Sequence, residues 1–121
     1  MKALVDTNIL IDYLNGISKA EEELKKYESL SISLITWMEV LVGAKNEKEE
    51  EILKNFLIRF TVVPITQEVA ERGVALRRAG KLRLPDAIIW ATAQMEGLLF
   101  VTRNIRDFPQ NSPGVRIPYQ V

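Results

Sequence analysis

The stretch LVDTNILIDYL, residues 4–14, joins a strand-like run to a helix-like pattern within a few residues. Apolar residues run up to Val5, and apolar positions with helical spacing begin at Ile9. Asp6 stands between the two patterns. An ionisable residue at such a junction either caps the helix that follows or belongs to a functional site. The choice depends on whether other acidic residues reach the same part of the fold.

The rest of the chain repeats this alternation of strand and helix. Short β-branched or aromatic runs that predict strands lie at residues 2–5, 31–34, 60–65, 98–101 and 115–119. Helical spacing of apolar residues covers residues 8–15, 18–28, 36–44, 47–58, 67–79 and 86–96. This order predicts an α/β fold, in which a central parallel sheet carries helices on both faces. The length of 121 residues predicts a single domain, residues 1–121.

The composition restricts the available chemistry. Histidine and cysteine are both absent, which excludes disulfides, Cys/His zinc sites, thiol nucleophiles and imidazole acid–base catalysis. Catalysis would therefore use carboxylates, lysines, hydroxyl groups or a hard metal ion. Lys2 is followed by only three apolar residues, and no apolar run approaches the ~18 residues of a membrane span. We expect a cytoplasmic protein.

The formal net charge of zero conceals a division along the chain. Residues 1–71 carry 8 basic and 13 acidic residues, whereas residues 72–121 carry 8 basic and 3 acidic residues. A basic group directly precedes Asp86 in the sequence, and one further arginine follows the fourth predicted strand. These candidate phosphate-binding residues are Arg77, Arg78, Lys81, Arg83 and Arg103. The alternative is an ordinary solvated helix face and turn.

Acidic residues recur where predicted strands turn into helices or loops. Asp6 and Glu39 follow the first two strands, Asp86 opens the last helix, and Asp107 follows the fourth strand. Open parallel sheets bind ligands at the carboxyl ends of their strands, so these acids are expected to converge. Each also has a structural explanation. Asp6 can cap a helix, and Glu39 can complete a capping box with Thr36. Asp86 can be a first-turn residue favoured by the helix dipole, and Asp107 an ordinary loop acid.

Three segments, in this order, resemble the motifs of the PIN domain and especially of the compact VapC-like toxins. They are DTNILIDYL, SLITWMEVLVGA and LPDAIIWATAQMEGLLFVTRNIRDF. The resemblance implies a three-layer α/β/α sandwich with a central parallel sheet, and a Mg²⁺- or Mn²⁺-dependent endoribonuclease site. It carries over Asp6, Glu39 and Asp86, with a fourth position inside TRNIRDF. Many relatives have an acid where this chain has Asn104. The resemblance further implies a homodimer, an RNA substrate and an inhibitory antitoxin protein.

These residue types suit phosphodiester hydrolysis assisted by a hard cation. Mg²⁺ prefers oxygen ligands, needs only one or two carboxylates and retains several waters. We expect Asp6 and Asp86 to be direct ligands, and Glu39 to bind the ion through water or to orient the attacking water. Asp107 is favoured for the fourth position. The expected supporting residues are Thr7, Asn8, Thr102 and Asn104.

Three other functions compete with this interpretation. A phosphoacceptor receiver domain would need an acid after the third strand and a lysine after the fifth, and neither is present. A haloacid-dehalogenase-like phosphatase would need an aspartate where Asn8 stands. The third alternative is a non-catalytic PIN-like module that binds proteins. The retention of Asp6, Glu39 and Asp86 argues against it. Trp37 and Trp90 are expected in the core or a dimer interface rather than in contact with bases.

Overall fold

The strands form one parallel sheet with β1 at its centre. The computed structural model describes residues 2–108 and 112–120. The strands are β1 (Lys2–Val5), β2 (Ser29–Ser33), β3 (Thr61–Val63), β4 (Leu99–Val101) and β5 (Val115–Arg116). Their order across the sheet is β3-β2-β1-β4-β5, and every pairing is parallel. The chain therefore adds β2 and β3 on one side of β1 and then β4 and β5 on the other. This change of direction creates a topological switch point at the carboxyl end of β1.

Helices cover both faces of the sheet. They are α1 (Thr7–Leu14), α2 (Ser18–Leu24), α3 (Leu34–Val42), α4 (Glu47–Leu57), α5 (Gln67–Ala79) and α6 (Leu84–Glu96). Successive side chains of β1 enter opposite layers: Ala3 and Val5 join the apolar cluster that includes α1 and α4, whereas Leu4 joins the cluster that includes α6. These layers confirm the predicted α/β/α sandwich. No helix within the described ranges is long and apolar enough to cross a membrane.

Most predicted element boundaries differ from the observed ones by only a few residues. Pro85 lies in the first turn of α6, and Gly97 ends that helix in the left-handed conformation, with φ of 66°. One local interpretation was wrong. α3 begins at Leu34, because the Ser33 side chain caps it by accepting the Ile35 N–H. Thr36 is consequently buried inside the helix and is not the cap of a capping box.

Candidate active site

Asp6 combines the two roles that the sequence left open. It directly follows β1, and its backbone N–H donates to the Val101 carbonyl of β4 at 2.8 Å. Its side chain is the N-cap of α1 and accepts the Thr7 N–H at 2.8 Å. Aspartate is among the best residues for this position because its carboxylate satisfies an otherwise unpaired helix donor. The cap fixes the carboxylate at the carboxyl end of the central strand.

The Asp6 carboxylate is almost completely removed from solvent. Its Oδ2 atom accepts a 2.6 Å hydrogen bond from the buried Thr102 hydroxyl and a 3.3 Å hydrogen bond from Asn8 Nδ2. The pKa of Asp6 is raised to about 6, chiefly by burial and to a smaller extent by the charges of Asp86 and Glu39, whereas the hydrogen bonds from Thr102 and Thr7 oppose this rise. The ionised form of Asp6 is therefore disfavoured in the folded protein, and a nearby cation would stabilise it.

Thr7 links Asp6 to Glu39. Its backbone binds Asp6, while its hydroxyl donates to Glu39 Oε1 at 2.6 Å and lies 2.9 Å from the Thr36 hydroxyl. Glu39 lies in α3, where its carboxylate is exposed to solvent apart from this contact. The hydroxyl pair therefore orients a solvent-accessible carboxylate at the same end of the sheet as Asp6.

Asp86 enters the same region from the first turn of α6. Its side chain is 24% exposed, and its Oδ2 atom lies 3.9 Å from Arg83 Nε. Partial burial raises the pKa of Asp86, Arg83 opposes the rise, and Glu39 and Asp107 add to it. The acids on three separate elements therefore influence one another electrostatically.

The segment after β4 folds into a short turn that supports Asp107. Asn104 Oδ1 accepts the Asp107 N–H at 3.2 Å, and Asn104 Nδ2 donates to Asp107 Oδ2 at 2.9 Å. The Asn104 N–H in turn donates to the Thr102 hydroxyl at 3.2 Å. The Asn104 amide oxygen is therefore engaged by the backbone of Asp107, and its side chain orients the Asp107 carboxylate.

An open cleft of about 710 Å³ brings these groups together at the switch point. Its lining includes all the predicted acids, namely Asp6, Glu39, Asp86 and Asp107. Of the predicted supporting residues it includes Thr7, Asn8 and Asn104, while Thr102 lies buried beneath Asp6. Of the predicted phosphate-binding residues it includes Arg83 and Arg103. Arg77 and Arg78 in the last turn of α5, and Lys81 beyond it, are not part of this lining.

Sequence reasoning missed two contributors to this region. Arg106 lines the cleft. Its only signal in the sequence was its place in the basic half of the chain. Asp12 is buried in α1 and accepts hydrogen bonds from Arg103 and Tyr119. Its position four residues after Asn8 was the available signal, because residues with that spacing lie on one helix face. Its partner Tyr119 is far away in sequence and carried no comparable signal.

Comparison with known proteins identifies the fold. A family model described as the PIN domain matches residues 3–112. The chain belongs to the PIN-domain family. It is 32% identical to Ribonuclease VapC10 of Mycobacterium tuberculosis over 126 residues, which cover 95% of this chain and 94% of that protein. The predicted family is therefore confirmed.

Solved structures similar to this PIN domain include toxin–antitoxin assemblies. A toxin-antitoxin complex from Klebsiella pneumoniae contains a chain that is 50% identical, with a TM-score of 0.92, 98% of this chain covered and 99% of that chain. A DNA-bound VapBC structure from Salmonella typhimurium is 27% identical, with a TM-score of 0.77 and 96% of each chain covered. These similarities extend over nearly the whole chain.

PIN-domain ribonucleases generally depend on a divalent metal ion, and the donors in this cleft fit such an ion. The candidate ligands are carboxylate oxygens, which hard cations prefer. Burial, and to a smaller extent repulsion from Asp86 and Glu39, raises the pKa of Asp6, so a bound cation would favour its ionised form. Within residues 2–108 and 112–120 no three acidic side chains are close enough to enclose one ion between them. Mg²⁺ needs only one or two carboxylates, so this finding is compatible with the metal requirement of the family.

Proposed function

We propose that this PIN domain, taken as one domain over residues 1–121, is the endoribonuclease toxin of a toxin–antitoxin pair, with Mg²⁺ or Mn²⁺ as its ion. The observation that carries the proposal is the cleft at the carboxyl end of β1, into which separate elements bring Asp6, Glu39, Asp86 and Asp107. The printed name of VapC10 as a ribonuclease and the toxin–antitoxin complex from Klebsiella pneumoniae support it. The cytoplasm, where RNA is abundant, is the proposed place of action.

The acids are assigned different roles according to their burial. Asp6 and Asp86 are the proposed direct ligands, because both carboxyl groups are partly or wholly buried and have raised pKa values. The bound ion would supply Lewis-acid charge to the phosphate and lower the pKa of a coordinated water. Glu39 is accessible and oriented by Thr7, so its carboxylate is proposed to orient the attacking water and accept its proton, and to act as a further ligand through water.

The arginines of the cleft are proposed to hold phosphates beside the acids. Arg83 and Arg106 line the cleft and are exposed, so they can neutralise the scissile and adjacent phosphates. Arg77, Arg78 and Lys81 lie outside the cleft lining and are proposed to contact RNA at more distant phosphates. We further propose that the protein forms a homodimer and is inhibited by an antitoxin protein.

The products of cleavage test the proposed chemistry. Purified protein is expected to cleave RNA only with Mg²⁺ or Mn²⁺ and to leave a 3′-hydroxyl and a 5′-phosphate, because water attacks rather than the ribose 2′-hydroxyl. Sequencing of RNA ends after brief induction in cells identifies the cut sites, and gel analysis of the ends identifies their chemistry. Cyclic-phosphate ends, or undiminished cleavage in excess chelator, would contradict the mechanism. Expression without toxicity or RNA cleavage would favour the protein-binding module instead.

The fourth acidic position can be tested by comparing two variants of the turn after β4. If Asp107 acts through its charge, Asp107→Asn should raise the Mn²⁺ concentration for half-maximal cleavage more than Asn104→Ala does. Asn104→Ala removes only the contacts that orient Asp107. It should raise the required Mn²⁺ concentration by about 10-fold, which is the lower end of the effects typical of groups that orient metal ligands. An unchanged requirement in Asp107→Asn together with a raised one in Asn104→Ala would assign the position to Asn104.

A further inference from the structure

We propose that Asp12, Arg103 and Tyr119 form an anchor cluster that positions the 102–108 segment, and with it Asp107, against α1. The proposal deepens the proposed function, since it concerns the same cleft, and it assigns Arg103 a positioning role in place of a phosphate contact. Neither Asp12 nor Tyr119 lines the cleft. Their effect on RNA cleavage would therefore be exerted through the segment that they hold.

The cluster satisfies both oxygens of a buried carboxylate. Arg103 Nε donates to Asp12 Oδ2 at 2.6 Å, and Arg103 Nη2 donates to Asp12 Oδ1 at 3.2 Å. The Tyr119 hydroxyl donates to Asp12 Oδ2 at 2.8 Å, and the Asp12 side chain is only 9% exposed. This two-point geometry fixes the direction of the guanidinium as well as its distance. Three distant parts of the chain, carrying Asp12, Arg103 and Tyr119, thereby meet at one carboxylate.

The same face of α1 also holds the backbone of Arg103. Asn8 lies four residues before Asp12, and its Oδ1 atom accepts the Arg103 N–H at 3.2 Å. Asn8 Nδ2 in turn donates to Asp6 Oδ2 at 3.3 Å. Residue 103 is therefore attached to α1 through its main chain and its side chain, directly beside the Asp6 carboxylate.

The other end of the segment is fixed by packing. Phe108 is 1% exposed and packs edge-on against Trp90 and Phe100, with ring centroids 5.1 and 5.2 Å away. Between this attachment and Arg103, the turn formed by Asn104 leaves Asp107 facing the cleft. Releasing Arg103 would leave the segment fixed only at its Phe108 end. Asp107 could then move away from the other acids.

A phosphate contact through Arg103 Nε and Nη2 would require both nitrogens to leave Asp12. Leaving that buried carboxylate without its partner is strongly unfavourable. Arg83 and Arg106 line the same cleft and are exposed, and the contact of Arg83 with Asp86 is a long one of 3.9 Å, so both can reach a phosphate at a smaller cost. The geometry therefore favours positioning over substrate binding for Arg103.

The test compares Asp12→Asn, Arg103→Lys, Arg103→Met and the double variant Asp12→Asn/Arg103→Met. Each is assayed for kcat and KM with RNA in Mn²⁺, at a temperature where it is fully folded. In metal-free protein, hydrogen exchange is measured for the amides of residues 103, 104 and 107. Tyr119→Phe serves as a milder variant should the others fail to fold, because it removes one of the bonds to Asp12. Glu23→Gln is the matched control, since Glu23 forms a comparable buried ion pair with Arg116 and neither residue lines the cleft.

A positioning role predicts a kcat about 10- to 100-fold lower in Asp12→Asn and in Arg103→Met, with little change in KM. Exchange of the three amides should accelerate, and the double variant should be no worse than the more affected single variant. Arg103→Lys should also lose kcat, because an ammonium cannot reproduce the two-point contact. Glu23→Gln should leave kcat and these amides unchanged.

A phosphate contact predicts a different pattern, which would overturn the proposal. Arg103→Met would then raise KM at unchanged amide exchange, Arg103→Lys would retain most activity, and Asp12→Asn would keep the parent kcat. If the parent protein does not cleave RNA, the proposed function fails, but the exchange measurements still decide whether the cluster holds the segment.

Discussion

Asp6→Asn is expected to lower RNA cleavage by more than about 100-fold, beyond the range typical of groups that only orient metal ligands. The Asp6 carboxylate lies at the carboxyl end of β1, where Thr102 and Thr7 fix both of its oxygens by hydrogen bonds. Asparagine keeps the size of the side chain and remains a good helix cap, but it removes the negative charge that a divalent ion requires. Cleavage should be measured under single-turnover conditions across a range of Mn²⁺ concentrations.

Asp86→Asn should have a similar effect, because Asp86 is the second proposed ligand. Glu96→Gln is the matched control: Glu96 lies at the other end of the same helix and is exposed. It should leave cleavage unchanged. If Asp6→Asn were fully active at saturating Mn²⁺, the role of Asp6 would be only that of a helix cap. The sequence alone left that alternative open.

The fold and the location of the cleft followed from local sequence patterns. Alternating strand and helix signals define a parallel sheet, and parallel strands end at one edge, so acids at several strand ends must converge. Asp6, Glu39, Asp86 and Asp107 line one cleft for this reason. The roles of individual acids were less predictable, since Asp6 is a helix cap and a cleft residue at once.

The contacts that the sequence did not reveal depend on tertiary structure. Asp12 meets Arg103 and Tyr119, which lie 91 and 107 residues further along the chain. No pattern of neighbouring residues specifies such a pair. The same applies to Thr36, whose place inside α3 depends on Ser33 capping the helix three residues earlier than expected. Charge along the sequence likewise could not separate Arg83 and Arg106 in the cleft from basic residues outside it.

The metal-free protein is expected to become more stable as the pH falls from 7 to 5. Burial raises the pKa of Asp6 to about 6 from the usual 3.8, so the folded state binds this proton more tightly than the unfolded state. The stabilisation by protonated Asp6 is present below pH 3.8 and is lost as the pH rises through about 6. The full effect is on the order of 3 kcal/mol, at 1.36 kcal/mol per pKa unit. Asp86, whose pKa burial also raises, contributes with the same sign.

The measurement belongs between pH 5 and 7, because a second buried acid acts in the opposite direction at lower pH. Burial of Glu23 opposes its ionisation, but hydrogen bonds from Arg116, Tyr27 and Lys26 outweigh that effect and lower its pKa to about 2 from 4.5. The stability contributed by Glu23 is therefore present above pH 4.5 and is lost as the pH falls toward 2.

Denaturant unfolding in chelator at pH 5, 6 and 7 should show the slope in the parent protein and in Glu96→Gln, but a flatter profile in Asp6→Asn. At pH 7 the metal-free Asp6→Asn variant should be at least as stable as the parent, because it no longer buries a charge that Asp86 and Glu39 repel. Saturating Mn²⁺ should reverse the slope in the parent, since the ion binds the deprotonated carboxylates and competes with protons. A large loss of stability in Asp6→Asn at pH 7, with an unchanged slope, would mean that the carboxylate stabilises the fold through its hydrogen bonds more than its burial strains it.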